Sequence, residues 1–151
     1  MKERIKSALA VISISILVNG TAKFLGSDYL SNFLPGNIVL ILITLLAINI
    51  TTMSVIMTRI KEIMEKFGGN FSESVSEMEY TLKEQLSLII LAVFILVLKE
   101  SPLVQTLIPH HAFMFSTILT AIFIYAIDIL HDIGQSIFQI IRFDQQVPKD
   151  K

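Results

Sequence analysis

Asp128, His131 and Asp132 are the one group in this sequence whose types and spacing suggest site chemistry. Asp-x-x-His-Asp sets carboxylates and an imidazole on one helical face. Such a set can relay a proton, switch with pH or form half of a metal site. One His without a second donor cluster makes a poor metal site. Asp128 also falls in the last turn or so of an apolar stretch, where a helix end begins to meet water. On depth alone, an interfacial helix end is the better reading, and no metal or other cofactor is expected.

Two further groups invite a role. Ser15, Asn19 and Lys23 are spaced i, i+4, i+8 in the first and least apolar stretch. Lipid penalises such a face, so it either lines a polar path between subunits or bonds to a neighbouring helix. The acidic run Glu73, Glu77 and Glu79 could dock a partner. It also suits a helix N-terminus, with Glu79 and Lys83 an i,i+4 pair. His110 and His111 read as solvated loop residues. Asn49, Thr51, Thr52 and Ser54 read as packing and backbone-bonding residues.

Missing chemistry narrows the function. There is no Ser/His/Asp arrangement, no phosphate-cradling Gly loop and no His-x-x-x-His or Glu-x-x-His pair. Cysteine is absent, which excludes thiol chemistry, disulfides and Cys-ligated metal or iron–sulfur sites. Net charge is −1, so no global basic field attracts nucleic acid. A non-enzymatic protein is expected.

The elements that must carry these residues are apolar. Hydrophobic residues make up 53% of the 151-residue chain and gather into stretches at 5–24, 38–57, 86–98 with flanks, and 112–130. A membrane-spanning helix needs ~20 such residues, so four use most of the chain and leave one domain, residues 1–151. The expectation is an all-α protein with four transmembrane helices at about 3–24, 37–67, 71–100 and 112–143. Leu34-Pro35-Gly36 would close a loop before the second helix. That helix then keeps an apolar period past Met57 to Phe67. Gly68-Gly69 breaks it, with a left-handed glycine as its end and a capping box of Asn70 and Glu73 opening the third. Facing stripes predict a helical hairpin over 58–85, projecting about 15–20 Å from the membrane.

Ten of the twelve Lys and Arg residues fall in the N-terminus, the 58–85 connection and the C-terminus. Positive charge in short loops stays cytoplasmic, so both termini and the hairpin are expected there. The start imitates a signal peptide but reads as a first transmembrane helix with basic anchors. Small four-helix multidrug transporters use a carboxylate inside the first helix, and none follows Glu3 here.

The layout of a basic 1–6 segment, two spans, a charged 58–85 connection, two more spans and an amphipathic 133–143 tail resembles small four-pass membrane proteins of bacterial phage-defence and abortive-infection systems. The resemblance implies a pore-like effector or a membrane-bound sensor controlling a soluble partner. The first functional expectation is thus an inner-membrane effector or channel acting as a homo-oligomer. The second is an anchor or sensor recruiting a cytoplasmic protein through the hairpin. A small proton-coupled transporter using Asp128 is the third.

Overall fold

The computed structural model describes residues 2–68, 72–107 and 111–146, and side chains over 6–65, 68, 72–107 and 111–138. The chain is all-helical across these residues. The elements are α1 (Lys2–Phe24), α2 (Tyr29–Phe67), α3 (Ser72–Glu100), α4 (Pro102–Leu107) and α5 (His111–Gln146). Four of them, α1, α2, α3 and α5, are long and apolar enough to cross a membrane. At 1.5 Å per residue α2 is ~58 Å long and α5 ~54 Å, well beyond a ~30 Å hydrocarbon layer.

The start of α2 corrects the sequence reading. Leu34-Pro35-Gly36 is not a loop: the helix begins at Tyr29 and runs through Pro35. A proline early in a helix removes one backbone bond, here the one Ser31 C=O would accept. Continuing the helix buries Leu34 and Ile38 in the main core, at 1% and 0% exposure. The true bend comes earlier, where Gly26 has φ +67°. The segment after Ser101, read as plain loop, contains the short α4.

Helices α2, α3 and α5 form the core. Leu34, Ile38 and Leu42 meet Ala92 and Ile95 of α3 and Phe115, Leu119, Ile122 and Ala126 of α5. A second, smaller cluster of Met53, Ile129 and Ile133, flanked by Met78 and Leu82, lies nearer the α2–α3 connection. Outside, the bundle is apolar: Leu17, Leu40, Ile90 and Val97 are each more than 60% exposed. A soluble monomer rarely exposes so much contiguous apolar surface, whereas lipid accepts it.

Helix α1 is a flank. It packs antiparallel along α5, with Ser7 opposite Asp128, Asn19 opposite Ser116 and Lys23 opposite Phe113. None of its residues belongs to the main core cluster.

The α2 terminus follows the expected glycine logic with a different dihedral. Gly68 has φ +68° but ψ −174°, in the mirror-β region rather than the left-handed helical one, and its N–H donates to Met64 C=O at 2.9 Å. Asn70 of the expected capping box lies outside the described residues.

Candidate functional site

At one level of the bundle every long helix supplies a polar residue. Ser7 Oγ of α1 donates to Asp128 Oδ2 of α5 at 2.5 Å. Tyr125 OH, one turn before Asp128, donates to Glu84 Oε1 of α3 at 2.6 Å. Asn49 Nδ2 of α2 donates to Gln85 Oε1, beside Glu84, at 2.6 Å. Three bonds thus link four helices between the two apolar clusters. Burial grades across the layer: Asn49 and Gln85 are fully buried, while Glu84 and Asp128 are half-buried.

From this layer a cavity of about 350 Å³ opens toward the α2–α3 connection. Four carboxylates border it: Glu77 and Glu84 from α3, Asp128 and Asp132 from α5. Met53, Ile56 and Ile60 of α2 with Ile129 and Ile133 of α5 form its apolar wall. Met78, Tyr125 and the hydroxyls of Ser7, Ser74, Thr81 and Ser136 complete the lining, and no Lys, Arg or His lines it among the described residues. An anionic rim over an apolar wall suits a cationic, amphipathic group: the carboxylates take the charge and the wall takes its alkyl stem.

Asp128, His131 and Asp132 do converge. Their candidate ligand atoms lie within 4.8 Å of one another. Asp128 already accepts from Ser7, His131 Nδ1 stands 3.8 Å from Asp132 Oδ1, and His131 Nε2 lies 3.3 Å from Gln135 Nε2. His131 and Asp132 are exposed, so water competes for any ion they could hold. The cluster thus sits where α5 leaves the apolar layer, and not at a helix end as the sequence suggests, because α5 continues to Gln146.

Ser15 and Asn19 are buried at 0% and 5% exposure, against α5 of the same chain. Asn19 Nδ2 donates to Ser15 C=O at 2.9 Å and Asn19 Oδ1 accepts from Ser116 Oγ at 2.8 Å. Ser15 Oγ bonds Val11 C=O at 2.7 Å. A path between subunits would need this face turned outward; here it joins two helices. Lys23 is exposed, with Nζ 5.4 Å from the centroid of the Phe113 ring, and borders a cavity of about 300 Å³ together with Asn19 and Ser116.

Of the acidic run, Glu77 borders the cavity, Glu73 stands exposed in the first turn of α3, and Glu79 accepts from Lys83 Nζ at 2.7 Å on the outer surface. His111 opens α5, half-buried, and His110 lies outside the described residues.

Sequence reasoning missed Glu84, Gln85, Tyr125 and Ser116, and assigned Asn49 to ordinary packing. A signal for one pair existed. Asn49 and Gln85 are amides within apolar runs, 19 residues before Gly68 and 16 after Gly69, within about a turn of the spacing antiparallel partners need.

No protein-family model matches the chain, and no curated protein or solved structure matches it.

Proposed function

We propose that this protein is a multi-pass anchor or sensor of the bacterial inner membrane, holding a soluble cytoplasmic partner at the end of the bundle where α2 meets α3. The observation that carries this reading is the carboxylate-rimmed cavity at that end. The basic-residue asymmetry supports an orientation with both termini and this cavity on the cytoplasmic side. A partner segment bearing Lys or Arg between apolar residues matches the rim and wall together. The helix lengths supply a stage for it, because α2, α3 and α5 outrun the hydrocarbon layer.

The layout's resemblance to phage-defence membrane proteins favours a partner controlled during infection. The channel reading draws less support from this face, since Ser15 and Asn19 bond within the protomer, while Asn19 and Lys23 border a second cavity.

Site-specific photocrosslinking tests the proposal in the native host. A crosslinker at Glu77 or Asp132 should trap a soluble protein through a basic segment. Glu77→Lys should abolish an adduct formed from position 132. The same crosslinker at Leu40, on the apolar exterior, should trap none. Adducts to lipid alone at all three positions, with ion leakage from reconstituted vesicles, would return the channel reading to first place.

A further inference from the structure

Asn49 and Gln85 are each 0% exposed, yet the contact between them is half complete. Asn49 Nδ2 donates to Gln85 Oε1, while Asn49 Oδ1 and Gln85 Nε2 have no partner. The two remaining atoms are complementary, an acceptor and a donor on side chains already in contact. A small adjustment of the two side chains would pair these atoms with each other and complete the contact.

Beside the pair the α2–α3 seam is built of adaptable side chains, while farther along Leu34, Ile38 and Leu42 pack on Ala92 and Ile95. Met53 and Met57 of α2 and Met78 and Leu82 of α3 border one groove, side chains that pack adaptably. Next to the pair, a slide of one helical turn keeps apolar residues of this groove facing each other. It would set Asn49 against Leu82 or Ile89, and Gln85 against Leu46 or Met53. All four polar groups of the pair would then lie in apolar surroundings, the arrangement a membrane bundle tolerates least.

We propose that the Asn49–Gln85 pair is a register lock, a conformational device that selects one alignment of α2 against α3 at the expense of stability. It thereby fixes where Glu77 and Glu84 stand relative to Asp128 and the cavity. Single buried polar positions specify register in coiled coils by this means.

The chain has no cysteine, so spin labels can be introduced at chosen pairs without background. Labels at Leu40 and Lys83, both exposed, are offset along the bundle axis. A one-turn slide changes their separation by roughly 5 Å. Pulsed-dipolar distances in nanodiscs should show one population in the parent and in the exchanged variant Asn49→Gln/Gln85→Asn. The apolar double variant Asn49→Leu/Gln85→Leu should stay folded and show a second population about 5 Å away. Each single Leu variant should lose roughly tenfold or more in folded-to-unfolded ratio, because one amide is stranded, while the double should be at least as stable as the parent. One unchanged distance in the folded double variant would overturn the proposal. A double variant that fails to fold would overturn it too, since the pair would then carry the fold and not its register.

Discussion

Asn19 shows how a polar residue in an apolar helix is accounted for. Its amide oxygen accepts from Ser116 and its amide nitrogen donates to Ser15 C=O, so both ends are satisfied inside the protein. Interhelical bonds of this kind are worth about 0.6 kcal/mol on average in membranes and up to about 2. Asn19→Leu should therefore destabilise the α1–α5 contact within that range. A double-mutant cycle of Asn19→Ala with Ser116→Ala in micelles should give a coupling of about 0.6 kcal/mol. Zero coupling, with altered ion leakage, would mean that Asn19 faces a path instead. That Asn19 needs a partner was legible, because lipid excludes an unpaired amide. Which partner it takes was not: Ser116 lies 97 residues away, and only the packing of α1 on α5 brings it near.

At the scale of elements, the apolar blocks and the Gly68 break located four long helices, since length and period are local properties. The start of α2 was illegible for a physical reason. Pro35-Gly36 carries a turn signal, and the burial of Leu34 and Ile38 that overrides it is tertiary. The end of α2 rests on backbone conformation alone. Gly68 has open space where a Cβ would go, so Gly68→Ala meets no clash. It should still cost about 1–3 kcal/mol, because φ +68° with ψ −174° is a glycine conformation. Thermal unfolding in detergent measures this, and an unchanged midpoint would refute that dihedral. Ile60, 5% exposed in the wall of the cavity, tests the extended arms. A charge there is buried without a partner, so Ile60→Asp, and Leu82→Asp on α3, should open the segment between Arg59 and Lys83 to protease. Unchanged proteolysis would mean that these arms do not pack.

The whole molecule is an apolar bundle with a polar layer and an anionic cavity at one end. The sequence made the bundle legible, because a membrane imposes long apolar runs. The cavity was only partly legible. The sequence groups Asp128 with Asp132 and sets Glu77 in a separate acidic run, and nothing local says that α3 and α5 face each other across Tyr125 and Glu84. The proposed docking role of this cavity requires that it face the cytoplasm. Reporter fusions measure that side directly. A phosphatase that works only outside the cytoplasm should be active when fused after Asp28 or Gln105 and silent after Gly69 or Lys151, as the ten-to-two distribution of Lys and Arg requires. Activity after Gly69 would put the cavity outside the cell and contradict the account.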